Sequence, residues 1–316
     1  MRIAIVGQQA FGKSVLEAFL ARGDDVAGVF CAPDKPGAKA DPLRTAADEA
    51  GVGVFQLPSL KGAAAEEALR GLAVDLGVMA YVLQFAPQGF VNIPSHGTIQ
   101  YHPSLLPKYR GPSSINWPII RGETETGLTI FRPTDGLDEG PIILQKTTAI
   151  GPDDTLGSVY FDRLYPMGVS AMLEAADLVV GGRHEETVQD ERLASYEGWC
   201  RDPEAGINWH AHVTEVHNLI RGCDPAPGAW ALIAGRKVRL YEARKHLARR
   251  FSDVAGRTGE IVAIGESGIQ IALQGGRLEI GKARIDGSKD KLTGAAFAAA
   301  VGLAVGSRVV GEPAPA

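Results

Sequence analysis

The chain has 316 residues, 22% of them charged and 45% apolar, which suits two folded domains and excludes a disordered or fibrous protein. A net charge of −5 gives no global pull toward nucleic acid, and three scattered cysteines (Cys31, Cys200, Cys223) offer neither a disulfide framework nor a Cys-based metal site. Apolar runs such as Ala295 to Val305 are too short for a bilayer, and Met1 leads into a strand without a signal-peptide leader, so a cytoplasmic protein with no metal and no membrane partner is expected.

Taken in chain order, Arg2 to Val6 reads as a fully buried strand. Gly12 to Arg22 reads as a helix with Val15, Leu16, Phe19 and Leu20 on one side. Val26 to Cys31 is a second strand, Pro42 to Ala50 and Ala63 to Leu72 are helical, and Leu76 to Tyr81, Thr98 to His102 and Leu128 to Arg132 complete a sheet. This alternation implies an α/β fold with a doubly wound, Rossmann-like parallel sheet and helices on both faces. One long helix from Asp154 to Val180, capped by Asp153 or Asp154, closes a first domain over residues 1–181. Residues 182–206 lack clean periodicity and read as a linker. A helix over Trp209 to Arg221 follows, then short strands at Ala229 to Ile233, Val238 to Tyr241, Gly259 to Ile264, Ile269 to Leu273 and Leu278 to Ala283. Regular short strands with glycine turns imply a small barrel over residues 207–310, and the Pro/Ala tail 311–316 is expected to fray.

Gly7-Gln-Gln-Ala-Phe-Gly12-Lys13-Ser14 fits the phosphate-cradling pattern G-x-x-x-x-G-K-[ST] between a strand and a helix. The apolar strands at Leu76 to Tyr81 and Thr98 to Tyr101 do not end in an acid that could hold Mg²⁺, so a P-loop nucleotide-binding protein is only a remote alternative. A dinucleotide site is weaker still, because G-x-G-x-x-G is missing and the second strand ends Cys31-Ala-Pro33 without a ribose-binding acid.

Chemistry concentrates between residues 97 and 145. The strand Thr98 to His102 places a histidine at its end, where Pro103 opens a loop; Thr134-Asp-Gly-Leu-Asp138-Glu-Gly140 is a tight acidic turn. A histidine and an aspartate brought together at a sheet's mouth make a general acid/base pair. Singly, each is more often a structural residue.

The run His102-Pro-Ser-Leu-Leu-Pro107-Lys-Tyr-Arg110-Gly111, followed by Gly136-Leu-Asp138-Glu-Gly140, resembles the signature of the 10-formyltetrahydrofolate-dependent formyltransferase superfamily. Tyr101-His102-Pro103, Ser114-Ile-Asn116-Trp117, Ile220-Arg-Gly222 and Pro227-Gly-Ala-Trp230 bring the wording nearest to the N-terminal hydrolase domain of 10-formyltetrahydrofolate dehydrogenase, with methionyl-tRNA formyltransferase as a related enzyme. The resemblance implies an OB-like C-terminal barrel and 10-formyltetrahydrofolate as formyl donor. Attack on a formyl carbon builds a tetrahedral oxyanion, so the site needs a donor for that oxygen, a proton for the leaving nitrogen and a base for the attacking group. The resemblance gives the first two tasks to His102 and the orienting, charging and proton-accepting tasks to Asp138. It places the pterin at Gln84-Phe85-Ala86 and lets Ser104, Leu105, Leu106 and Pro107 shape the mouth, while Arg110 fixes the loop.

Amine-directed relatives have Asn two residues before the histidine; here it is Gln100, whose amide still donates but is one methylene longer, and the dehydrogenase's hydrolase domain has an apolar residue there. The dehydrogenase's carrier and aldehyde dehydrogenase segments do not occur in this sequence. The formyl group is therefore expected to pass to water, or else to an amine such as methionyl-tRNA or an amino sugar. The stretch Arg236 to Arg250 holds seven Lys/Arg against one Glu and could meet tRNA, although a solvated strand face is the favoured reading. A catalytically silent folate-binding module is the remaining alternative, and the intact His102 and Asp138 speak against it.

Overall fold

The computed structural model describes residues 1–250, 253 and 256–309; the tail expected to fray lies outside them. The chain forms two compact units. One comprises residues 1–114, 127–148 and 161–197, and the other comprises 115–126, 149–160 and 198 onward. The units therefore interleave in sequence rather than meeting at one boundary.

In the first unit, β1 (Arg2–Gly7), β2 (Asp25–Cys31), β3 (Val54–Gln56), β4 (Leu76–Ala80), β5 (Thr98–His102), β6 (Glu125–Phe131) and β7 (Ile142–Ala149) form one sheet in the order β3-β2-β1-β4-β5-β6-β7. Strands β1 to β5 pair in parallel, as the alternation predicts, with α1 (Gln9–Arg22), α2 (Pro42–Glu49) and α3 (Ala63–Gly71) among the connections. The order reverses at β1, which lies between β2 and β4, and the crevice beyond the strand ends at such a point is where α/β sheets bind ligands. Gly7 closes that point tightly: a Cβ there would lie 2.0 Å from the Ala80 carbonyl oxygen.

Strand β6 corrects the all-parallel expectation. It runs antiparallel to β5, with Gln100 opposite Phe131 and His102 opposite Thr129. A parallel return needs a crossover packed on the sheet. The short helix α4 (Gln88–Val91) precedes β5; between β5 and β6 stands α5 (Asn116–Arg121), which is short and belongs to the second unit, so no such crossover forms. β7, unread in the sequence because Gln145 to Thr148 form an unbroken polar run, completes the edge.

Alternation along the strands sorts side chains into two cores. Ile3, Ile5, Val78, Ile99 and Tyr101 pack with Phe11, Val15, Leu16, Ala171 and Ala175 on one face; Ala4, Val6 and Met79 pack with Leu60, Leu69 and Phe90 on the other. Gln100 and His102, out of phase with Ile99 and Tyr101, face this second side.

The expected long helix is present in three parts. They are α6 (Leu156–Val159), a π turn over Tyr160–Leu164 and α7 (Tyr165–Val180). Its cap is Thr155, not Asp153 or Asp154: Thr155 accepts from Ser158 N at 3.1 Å and Ser158 Oγ accepts from Thr155 N at 3.0 Å. Asp154 instead accepts from Gly151 N.

The second unit is built on an antiparallel sheet of β8 (Ala229–Ile233), β9 (Arg236–Leu247), β10 (Ile261–Gly265), β11 (Gly268–Leu273) and β12 (Gly276–Ile285), ordered β10-β11-β12-β9-β8, with β13 (Leu292–Thr293) beside β12. Val213, Val216 and Ile220 of α8 (Val213–Gly222) and Phe297 of α9 (Gly294–Val301) share its core with Leu240, Ile269, Ile271 and Ile280. Cys200 and Cys223, far apart in sequence, come to 3.8 Å between sulfurs. No helix among the described residues is long and apolar enough to cross a membrane.

Candidate active site

Strand β5 ends on His102, which is 5% exposed. Its Nε2 lies 2.9 Å from the Tyr109 carbonyl oxygen. A carbonyl can only accept, so Nε2 carries the hydrogen and Nδ1 is the nitrogen turned toward other chemistry. Nδ1 faces Asp138 Oδ2 at 3.6 Å, beyond hydrogen-bond length. Asp138 is itself 7% exposed and sits at φ +55, a left-handed conformation forced by the tight turn. Its Oδ2 accepts from Gly111 N at 2.9 Å, which fixes the carboxylate while leaving it beside the imidazole. The two residues expected to act together are thus brought together, in a nearly dry setting where charge interactions are strong. Gln100, on the same face of β5, is half-buried two positions away.

The loop that carries Arg110 and Gly111 is held by its own polar groups. Ser104 Oγ donates to the carbonyls of Lys108 (2.7 Å) and Tyr109 (3.2 Å), and Thr129 Oγ1 donates to Ser104 O at 2.7 Å. Leu106 N donates to Thr129 Oγ1, and Gln145 Nε2 donates to Leu106 O at 2.8 Å. Ser104 is fully buried and Leu106 is 3% exposed. These two therefore build the loop from within, whereas Leu105 and Pro107 are half-exposed. Gly111, at φ +100, has no room for a side chain: a Cβ would lie 2.7 Å from Glu197 O.

The segment read as a linker supplies residues that the sequence reading missed. The Arg110 guanidinium donates to Gln189 Oε1 (2.9 Å from Nη2) and forks onto Glu191 at 2.9 and 2.6 Å. The Glu191 carboxylate raises the Arg110 pKa, and Arg110 in turn holds the Glu191 carboxyl below its usual value. Ser195 accepts from Tyr109 N through Oγ and from Arg110 N through its carbonyl. Arg110 fixes the loop, as expected, but needs this distant segment to do so. A polar stretch without periodicity looks solvated in sequence; the one available signal was Arg110 itself, which a buried position obliges to find partners.

The loop after β4 is unlike its neighbour. Tyr81, Leu83 and Phe85 are exposed at 44%, 58% and 47%, while Ala86 is buried. Gln84 Nε2 donates to Leu57 O, and Lys61 Nζ lies 4.8 Å from the centre of the Phe85 ring. Among the described residues, the backbone groups of Gln84, Phe85 and Ala86 enter no backbone hydrogen bond.

The phosphate-loop pattern is accounted for otherwise. Helix α1 begins at Gln9, so most of the would-be loop is helical. Its first N–H, on Gln9, donates to the Asp41 carboxylate at 2.9 and 3.0 Å, so an internal anion already occupies that terminus. Lys13 pairs with Glu17 one turn along.

Residues 1–176 match the family described as formyl transferase, and residues 201–301 match the formyl transferase C-terminal domain. The mitochondrial 10-formyltetrahydrofolate dehydrogenase of Mus musculus is 43% identical over 246 residues, covering 76% of this chain and 26% of that protein. The chain therefore spans about a quarter of that relative's length. A methionyl-tRNA formyltransferase of Geotalea daltonii is 32% identical over 314 residues, covering 98% of both. Among solved structures, HypX from Aquifex aeolicus in complex with tetrahydrofolic acid superposes with a TM-score of 0.68 at 19% identity, over 95% of this chain and 47% of that one, a likeness of fold. With two matched regions spanning most of its length, and a full-length relative above 30% identity, the chain belongs to the formyl transferase family.

Proposed function

We propose that this protein removes the formyl group from 10-formyltetrahydrofolate and passes it to water, releasing formate and tetrahydrofolate. The observation that carries this reading is the buried His102–Asp138 pair, with Nδ1 and Oδ2 facing each other at 3.6 Å beyond β5. With a proton on both ring nitrogens, His102 Nδ1–H donates a hydrogen bond to the formyl oxygen as water adds and the oxyanion forms, and passes that proton to the folate nitrogen as the C–N bond breaks. Asp138 takes the proton of the attacking water and returns it to Nδ1, which restores the ring, and the formic acid released gives its own proton to solvent. Gln100, on the same face, offers a further donor to the formyl oxygen. The loop around Gln84, Phe85 and Ala86 receives the pterin through its unpaired backbone groups, with Phe85 as an apolar wall.

An amine acceptor is the second reading, favoured by the match to a methionyl-tRNA formyltransferase over 98% of both chains. The basic stretch gives it little support. Lys237 and Arg239 are taken up by Asp202 at 2.6 and 2.8 Å, and His246 meets Glu279 at 3.2 Å. Asp202, exposed at its rim, has its carboxyl held well below the usual range by Arg239 and Lys237. The deciding experiment mixes the protein with 10-formyltetrahydrofolate alone, with methionyl-tRNA and with an amino sugar, and follows tetrahydrofolate by absorbance. Water-dependent release is expected. Rapid formylation of an amine with no release in its absence moves the acceptor but keeps the folate site; no consumption under any condition rejects both readings.

A further inference from the structure

We infer that Gln189 is a positioning residue for the reaction, acting through the main chain of Asp138. This rests on the function proposed above and concerns a residue between the two matched family regions, which end at 176 and begin at 201.

Gln189 is 5% exposed, and its amide spends every hydrogen-bonding capacity it has. Oε1 accepts from Arg110 Nε at 3.3 Å and Nη2 at 2.9 Å; Nε2 donates to the carbonyls of Asp138 and Gly140, each at 2.8 Å. The amide's orientation is fixed by chemistry, because turning it over would set its oxygen against two carbonyls and its N–H groups against a guanidinium. Glu191 completes the chain by holding Arg110 from the other side.

Two loops converge on this one amide: the loop after β5, through Arg110, and the turn after β6, through Asp138 and Gly140. Asp138 is thereby pinned at both ends, by Gln189 at its carbonyl and by Gly111 N at its carboxylate. The left-handed backbone of Asp138 is costly for a residue with a side chain, and it persists where surroundings over-determine it. Gln189 supplies that constraint, and with it the separation between Oδ2 and His102 Nδ1. Nothing in this arrangement brings Gln189 to the substrate.

The test is kinetic, on the full chain with 10-formyltetrahydrofolate. Q189E keeps the shape and can still accept from Arg110, but presents an oxygen to the two carbonyls. Its kcat is expected to fall by about 10- to 100-fold, the scale of a misplaced catalytic group, with KM within about 3-fold because the loop at Gln84 to Ala86 is untouched. In a D138N background the same substitution is expected to change kcat by less than about 2-fold, because the group it positions no longer acts. Q189N, with the same amide one methylene short, should recover part of the loss, and it carries the test alone if Q189E does not fold. Unaltered kcat in Q189E and Q189N, equal losses in both backgrounds, or a loss confined to KM overturns the inference. An inactive wild-type protein overturns the proposed function and this inference together, whereas an active wild type with insensitive variants overturns only the inference.

Discussion

Two histidines are buried among the described residues, one in each unit, and they differ in what stands beside the ring. His102 ends a strand, donates to a carbonyl through Nε2 and faces a fixed carboxylate with Nδ1. His217 lies inside α8 at 0% exposure, with the Ala243 backbone as a hydrogen-bonding neighbour and Asp153, mostly exposed, 3.6 Å away. Burial pushes the His217 pKa down to about 4, with the positive charges of Lys245 and Arg221 adding to the effect. The two sites therefore differ in geometry: one imidazole faces a buried carboxylate fixed by a backbone N–H, the other faces a mostly exposed one.

The comparison breaks most visibly at its first member. H102A or D138A is expected to lower formyl release by about 10²- to 10⁴-fold with the fold retained, as circular dichroism and thermal melts would verify. H217F should leave kcat within about 2-fold; a comparable loss there would erase the distinction. The second member shows itself in stability. A folded-state value of about 4 against an ordinary 6.5 means that, between those values, the unfolded chain binds a proton that the folded chain refuses. Stability is therefore full above pH 6.5 and is lost as pH falls toward 4, by up to ~3 kcal/mol from this group. Urea melts at pH 7 and 4.5 should show the loss, and H217F should shrink it. Smaller effects sharpen the catalytic side. Q100I is expected to cost about 10-fold in kcat, less than the ~3 kcal/mol of a well-aimed oxyanion donor because the longer amide is more loosely held. K13A should change neither turnover nor folate affinity, and saturable ATP binding removed by that substitution would revive the P-loop reading.

What the sequence disclosed follows from how local each signal is. Buried strands such as Ile3 to Val6 and the amphipathic α1 are written in short-range periodicity, and they stand within a few residues of their expected ends. The histidine at the end of β5 was legible for the same reason. The reversal of β6 was not, because apolar runs carry no direction and strand pairing is settled by the intervening chain. The Thr155 cap was overlooked beside two more conspicuous acids, although Thr155 and Ser158 stand at capping-box spacing. Gln189, Glu191 and Ser195 were invisible: their partners lie about 80 residues earlier at Tyr109 and Arg110, and nothing near them in sequence marks them as buried or bonded.

The turn at Asp138 also bears on how this protein can change over generations. Its left-handed backbone suits glycine and costs an ordinary residue on the order of 1 kcal/mol. Replacement by glycine would relieve that strain but leave the buried Gly111 N–H without its acceptor, a loss of about 1–3 kcal/mol, so the carboxylate holds the turn as well as facing His102. The turn is therefore not free to drift to glycine even where the proposed reaction is not needed.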